Sequence, residues 1–138
     1  MDCNVLLYGV NADAAQHVPA RRWLDTALSS TEVVGFAWIV LLAFLRIATS
    51  PRAFRAPLPA LRAFETVQDW LAQPAGVLVS PTSRHLPILR SLIEQSGTAG
   101  NLVADAHLAA LAVEHGASVV SFDRDFLRFP GLRLAVPS

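Results

Sequence analysis

The sequence predicts an α/β fold in which a mainly parallel sheet lies between layers of helices. Strand-like and helix-like segments alternate along the 138 residues, a pattern typical of parallel sheets. The strand-like segments are continuous apolar runs, as expected when both faces of a sheet are buried. Apolar residues make up 53% of the chain and charged residues 16%, so the chain can bury a sizeable core. The length suits one domain over residues 1–138.

In the first half of the chain, Pro19 is suited to the first position of a helix over 19–30. A short buried strand is expected over 32–37, and an apolar helix over 38–49 follows it directly. A Ser-Pro pair ends that helix, and prolines space the loop over 50–59.

The second half continues the alternation, with two amphipathic helices and one Ala- and Leu-rich helix that Asn101 is placed to cap. The expected elements are helix 60–73, strand 77–80, helix 83–97, helix 101–116, strand 118–122 and strand 132–136. The residues expected to face inward are Leu61, Phe64, Val67 and Leu71 in the first helix, and Leu86, Leu89, Leu92 and Ile93 in the second.

Charge and cysteine content narrow the functional classes. The formal net charge is zero, so no overall basic field favours nucleic acid. Cys3 is the only cysteine, so no internal disulfide forms and a reducing cytosol is expected. The longest apolar run, 33–45, is shorter than the roughly 18 residues of a membrane span, and the chain does not open like a signal peptide. We therefore expect a cytoplasmic protein with no membrane partner.

The acidic residues fall into two groups. Asp2, Asp105, Asp123 and Asp125 each adjoin an apolar segment, whereas the others lie on polar helix faces or in loops. We expect solvated surface charge for Asp25, Glu32, Glu65, Asp69, Glu94 and Glu114.

Each acid of the first group has a purely structural explanation. Asp2 could belong to a frayed terminus, and Asp105 in a first helical turn is favoured by the helix dipole. Asp123 fits a turn and Asp125 a helix cap. These explanations leave open why acids flank three separate buried segments. Ligands of parallel α/β folds lie beyond the carboxyl ends of the strands, which is where Asp123 and Asp125 fall.

If these carboxylates converge, they repel one another unless a cation joins them. Mg²⁺ takes oxygen ligands and is usually held by one or two carboxylates with several waters. The four histidines show none of the usual zinc spacings. A carboxylate-held Mg²⁺ or Mn²⁺ typically activates water and holds phosphoryl oxygens, so the pattern indicates phosphodiester hydrolysis.

Four stretches together resemble the PIN-domain ribonucleases, specifically the VapC toxins of bacterial toxin–antitoxin pairs. They are DCNVLLY, FLRIATSPRAF, GNLVADAHLAALAVEHGA and SFDRDFLRFPGL, and the resemblance covers essentially the whole chain. It implies a three-layer α/β/α sandwich and a Mg²⁺- or Mn²⁺-dependent endoribonuclease. It also implies a homodimer that cleaves RNA and is held inactive by a VapB-type antitoxin whose C-terminal segment covers the site.

The resemblance assigns roles residue by residue. Asp2, Asp105 and Asp123 match the family's metal-binding acids, and Asp125 matches an additional acid of the catalytic group that works through water or through the residues around the ligands. Asn4 and Ser121 match polar neighbours that orient these carboxylates, and Asn101 is a further supporting residue on the face of Asp105.

One departure concerns the helix over 38–49, where many PIN domains supply a Glu. This stretch contains no acid, and Phe44 occupies or adjoins the matching position. Arg46 nearby could contact a phosphate or serve as an ion-pair partner. Arg52 and Arg55 in the following loop could clamp RNA phosphates or be solvated.

A second departure concerns the start, where only Met1 precedes Asp2 although the family has a strand there. We expect a gap in the sheet and an undefended strand edge. A short apolar extension before Met1 should raise the melting temperature.

Two other functions compete with the nuclease. The two departures would suit a catalytically weakened PIN domain that binds RNA or a protein without cutting. A phosphatase or phosphoacceptor domain also places Asp at strand ends, but DCNVLLY and the Ala/Leu helix that carries Asp105 fit it poorly.

Overall fold

A computed structural model describes residues 1–97, 100 and 102–138 of the chain. The helices are α1 (Cys3–Val10), α2 (His17–Leu28), α3 (Trp38–Ala48), α4 (Ala60–Ala72), α5 (His85–Ser96) and α6 (Leu102–Glu114). The strands are β1 (Val34–Phe36), β2 (Gly76–Leu78), β3 (Val119–Val120) and β4 (Leu134–Ala135), and a 3₁₀ helix covers Arg124–Arg128. The predicted α/β class is confirmed.

All described strand pairs are parallel, as the apolar runs indicated. Val34 of β1 lies opposite Gly76 of β2, and Val119 of β3 lies opposite Leu134 of β4. The described strands nevertheless form two separate two-stranded sheets instead of one continuous sheet.

The start of the chain lies between these two sheets. The Met1 ammonium donates to the Gly35 carbonyl at 3.3 Å, and the Asp2 N–H donates to the Val120 carbonyl at 2.8 Å. A groove of about 760 Å³ lies beside Met1, between β1 and β3. The first two residues therefore hydrogen-bond to both strand pairs. Because the ammonium is buried there, its pKa falls from 8.0 to about 6.

The helices form two packed groups. Helix α1 contacts α2 and α3, and α3 contacts α4, while α5 packs against α6. Gly9 permits the close approach of α1 and α2, because a Cβ at this position would lie 2.5 Å from Cδ1 of Leu24. The largest fully buried side chains include Phe36, Phe44 and Phe126. The core thus connects both strand pairs to the helices around them.

The predicted inner faces of α4 and α5 are partly wrong. Leu61 and Phe64 of α4 are 71% and 57% exposed, whereas Ala63 and Val67 are buried. The reason is Trp70, whose ring packs against Phe36 and Phe44 at centroid distances of 6.3 and 4.9 Å. This contact turns the 63–67–70 stripe inward.

In α5, Leu86 is exposed, while Leu92 is buried and Leu89 and Ile93 are partly buried. The neighbouring His85 makes the polar contact to α6 at this end of the helix. Leu86 therefore points away from the interface.

The start of α2 also differs from its prediction. The helix begins at His17, so Pro19 is its third residue and not its first. A proline is tolerated there because the first-turn N–H groups have no intrahelical acceptor.

None of the described helices is long and apolar enough to cross a membrane.

Candidate active site at the carboxyl end of β3

Ser121 is the centre of the hydrogen-bond network that follows β3. Its fully buried Oγ donates to Oδ2 of Asp2 at 2.7 Å. The same oxygen accepts from Nδ2 of Asn4 at 3.0 Å and from the Asp123 N–H at 2.9 Å. A hydroxyl offers one donor and two acceptor positions, so the capacity of Ser121 is fully used. Residues far apart in sequence are thereby fixed around one atom.

Asp2 has a local role as well. It is the N-cap of α1, and its Oδ1 accepts from the Cys3 N–H at 2.7 Å. Its other oxygen is oriented by Ser121. Asn4 completes the link, because its Oδ1 accepts from the Phe122 N–H at 3.3 Å. The start of the chain is thus bonded to the segment after β3 and is not a frayed terminus.

Asp123 caps the 3₁₀ helix, with Oδ1 accepting from the Asp125 N–H at 2.8 Å. The expected cap was Asp125, and that explanation is wrong because the helix begins one residue earlier, at Arg124. Both carboxylates are exposed, while Phe126 anchors the helix in the core. The turn therefore presents two acids to solvent beside Asp2.

Asp105 approaches the same region from the first turn of α6. Burial raises the pKa of its carboxyl, and the nearby charges of Asp2 and Asp123 raise it further; Arg128 opposes this shift, and Asp125 adds the smallest contribution to it. The four sequence-predicted acids therefore act on one another electrostatically. Asn101, predicted to support them, lies outside the described residues.

The four acids offer a divalent cation only oxygen ligands. Within the described ranges, no group of three or more His, Cys, Asp or Glu side chains is arranged to hold a single ion. Mg²⁺ does not require such a cage, since it keeps several waters and often binds one or two carboxylates. The excess negative charge that raises the pKa of Asp105 suits a hard cation. The chemistry of these oxygen ligands therefore suits Mg²⁺, although the described side chains do not form a three-ligand site.

The predicted arginines have different surroundings. Arg46 on α3 lies close enough to Cys3 to lower its pKa, although burial and Asp2 raise that thiol's pKa to about 12 overall. Arg52 and Arg55 are exposed in the loop before α4. The cation that acts on Asp105 is Arg128, which sequence reasoning missed. Its i,i+3 spacing from Asp125 was the available signal.

Phe44, at or beside the position of the family's Glu, is fully buried and packs edge-on against Trp70. This position contributes to the core and supplies no acid.

Glu114 is a further correction, because it is buried and not solvated. Its carboxylate accepts from the Thr82 N–H and from Nδ1 of His85, both at 2.9 Å. Nε2 of His85 in turn lies 2.8 Å from Nδ1 of His107. The segment leading into α5 covers the end of α6, a long-range contact that helical periodicity does not reveal.

The fold and the acids together define an α/β protein with a carboxylate site beyond a parallel strand. The sequence model of the PIN domain family matches residues 1–132, and the chain belongs to the PIN domain family. The resemblance stated from the four sequence stretches is thereby confirmed.

The chain is similar to several curated relatives of Mycobacterium tuberculosis (strain ATCC 25618 / H37Rv). It is 56% identical to Ribonuclease VapC37 over 137 residues, covering 99% of this chain and 95% of the relative. It is 40% identical to Ribonuclease VapC33 over 136 residues, with the same two coverages. Among solved structures, it is similar to VapBC2 from Rickettsia felis bound to a promoter DNA fragment. That match has a TM-score of 0.71 and 18% identity, and it covers 99% of this chain and 96% of the other.

Proposed function

We propose that this chain is an endoribonuclease of the VapC type, a toxin component that hydrolyses RNA phosphodiester bonds. The observation that carries the proposal is that the Ser121 hydroxyl donates to the Asp2 carboxylate and accepts from the Asp123 backbone N–H, while the charges of both acids raise the pKa of Asp105. Full-length relatives named as ribonucleases support the same activity. We take residues 1–138 as a single PIN domain.

Asp2, Asp105 and Asp123 are the proposed ligands of Mg²⁺, for which Mn²⁺ can substitute; one or two of them bind the ion directly and the rest bind it through its waters. When bound, such an ion polarises a phosphoryl oxygen and lowers the pKa of a water. Asp125 belongs to the same acidic group.

The chain's own residues prepare this site. Ser121 fixes the direction of Asp2, and Asn4 ties α1 to the segment after β3. Asp105 lies in the first turn of α6, where the helix dipole favours its anionic form and opposes the effect of burial. These contacts orient the Asp2 carboxylate before any cation or RNA arrives.

The proposed partners are RNA, a second copy of the chain and a VapB-type antitoxin, the last by analogy with the VapBC2 assembly. Self-association has candidate surfaces on α3 and α4, which contact each other. Their exposed apolar residues are Trp38, Ile39, Leu42, Leu61 and Phe64. The cytosol is the proposed location, since the single Cys3 forms no internal disulfide that would need an oxidising compartment.

The test is cleavage of a mixed cellular RNA pool by purified, antitoxin-free protein with Mg²⁺, with Mn²⁺ or with EDTA. We expect cleavage in either metal and none in EDTA. Asp105→Asn should reduce cleavage to the level seen in EDTA, whereas Asp69→Asn, at an exposed acid on α4, should cleave like the parent. Cleavage that persists in EDTA or in Asp105→Asn would refute the assignment.

The second candidate function is an RNA- or protein-binding PIN domain with weakened catalysis. It is favoured by the buried Phe44 at or beside the family's Glu position. Folded protein that binds RNA but cuts in neither metal would support this candidate over the nuclease.

A further inference from the structure

Arg128 is a cation close to the acidic site, and it has no part in the proposed binding of the metal. It ends the 3₁₀ helix between two buried rings, Phe126 and Phe129, which are 1% and 2% exposed. These rings lie 6.2 Å apart, so the backbone that carries Arg128 is anchored in the core. The backbone end of the Arg128 side chain is therefore fixed, which limits where its guanidinium can lie.

Asp125 restricts the guanidinium a second time. Nε of Arg128 donates to the backbone carbonyl of Asp125 at 3.1 Å, and one terminal nitrogen lies 3.6 Å from the Asp125 carboxylate. The Arg128 side chain is still 37% exposed. Of the five N–H groups of a guanidinium, the described residues provide a hydrogen bond to one only, so an edge remains available.

Arg128 lies close to two of the acids, since it contacts Asp125 and its charge acts on Asp105. The charge of Arg128 lowers the pKa of Asp105, whereas Arg52 and Arg55 are exposed in the loop after α3 and do not act on it. An RNA strand placed over the acidic site would bring its phosphates next to Arg128. A guanidinium with free N–H groups can bind a phosphate through two parallel hydrogen bonds.

We propose that Arg128 binds an RNA phosphate at the edge of the acidic site and that Asp125 is the positioning residue that holds it there. The proposal rests on the proposed ribonuclease function and deepens it. It gives Asp125 a different task from Asp2, Asp105 and Asp123, since Asp125 acts on the substrate through Arg128.

The test measures binding of a short mixed-sequence single-stranded RNA to the Asp105→Asn protein in EDTA, over a range of salt concentrations. Adding Arg128→Gln should weaken binding about tenfold, the loss expected for one charge-assisted hydrogen-bonded contact. The slope of log Kd against log salt should fall by about 0.7, the value for one lost phosphate contact on a single strand. Arg128→Lys should recover part of the affinity.

The matched control is Arg124→Gln, which removes the same charge from the same 3₁₀ helix at an exposed position. It should change the affinity less than twofold. Equal losses from Arg128→Gln and Arg124→Gln would mean that only general charge matters and would overturn the proposal. Thermal melting checks that all variants are folded.

The role of Asp125 is tested by a double-mutant cycle. Asp125→Asn should weaken RNA binding less than Arg128→Gln does, and the double variant should bind no worse than Arg128→Gln alone. In the parent chain, which keeps Asp105, Asp125→Asn should raise KM more than it lowers kcat when metal is present. Additive losses, or a loss confined to kcat, would place Asp125 with the metal-binding acids and overturn its positioning role.

The result for the parent chain distinguishes a failure of the Arg128 proposal from a failure of the ribonuclease proposal. If the parent cleaves RNA but Arg128→Gln behaves like Arg124→Gln, only the role of Arg128 is wrong. If the parent neither binds nor cleaves RNA, the ribonuclease proposal and the role of Arg128 both fail.

Discussion

The two ends of α6 each carry an acid, and the fold treats them in opposite ways. Asp105 in the first turn is partly buried among three other carboxylates, and burial and their charges raise its pKa. Glu114 at the last position has a side chain with no exposed surface, yet it meets two N–H donors at 2.9 Å. Burial alone therefore does not distinguish a functional acid from a structural one.

The difference lies in what compensates the charge. Around Glu114 the chain supplies donors from Thr82 and His85, and His115 lies 3.8 Å away. No buried side-chain polar atom of the described residues lacks a hydrogen-bond partner. Around Asp105 the chain supplies mostly further acids. Internal compensation indicates a structural role, and like charges without enough partners indicate a place for an external cation.

The largest effect expected from this comparison is a loss of stability in Glu114→Ala. The substitution leaves the Thr82 N–H and the His85 Nδ1–H without their acceptor in a buried site, which should cost about 2–5 kcal/mol of unfolding free energy. Chemical denaturation measures this loss. RNA cleavage per folded molecule should stay the same.

The matched control for that substitution is Glu94→Ala on the neighbouring helix. Glu94 is 61% exposed and pairs with Arg90 on the surface, so its loss should change stability little. Equal stability of the two variants would contradict the structural role of the buried Glu114.

Met1 provides a third and intermediate case, a buried ammonium with one acceptor, the Gly35 carbonyl. Its pKa is about 6 in the folded chain against 8.0 ordinarily, so the unfolded chain holds this proton more tightly. Stability should therefore rise as the pH increases from about 6 to about 8, by on the order of 2 kcal/mol. Acetylation of Met1 should remove that slope.

A short apolar extension before Met1 distinguishes the effect of the buried charge from the effect of filling the groove. It removes the charge, as acetylation does, and can also occupy the groove of about 760 Å³ between β1 and β3. We expect its melting temperature to exceed that of the acetylated chain. If the two melt together, the groove does not accept a strand and only the buried charge matters.

More of the candidate site than of the packing around it could be predicted from the sequence. Asp2, Asp105, Asp123 and Asp125 stood out because each breaks an apolar segment, and parallel topology then placed the last two at a strand end. Glu114 and Arg128 were missed, since their partners come from long-range packing or a short turn. The exposed Leu61 and Phe64 show the same limit, because periodicity identifies an apolar face but not which part of it a ring such as Trp70 will turn inward.

The smallest expected effect is on the stability of Asp105→Asn, and it depends on the metal. Because the folded chain raises the pKa of Asp105, the folded state binds that proton more tightly than the unfolded state does. Stability of the parent should therefore fall as the pH rises from the ordinary value of 3.8 through the raised pKa. Asp105→Asn lacks this fall, so at neutral pH without metal it should be more stable than the parent, by less than about 1 kcal/mol.

Mg²⁺ should reverse that order, because a ligand that binds only the folded state adds about 1–3 kcal/mol at concentrations well above its Kd. The parent should gain this stabilisation and Asp105→Asn should lose most of it, while Asp69→Asn should respond like the parent. Melting curves with and without Mg²⁺ at neutral pH measure all three. An Asp105→Asn protein that gains as much from Mg²⁺ as the parent would mean that Asp105 is not a metal ligand. The uncompensated charge at this end of α6 would then need another explanation.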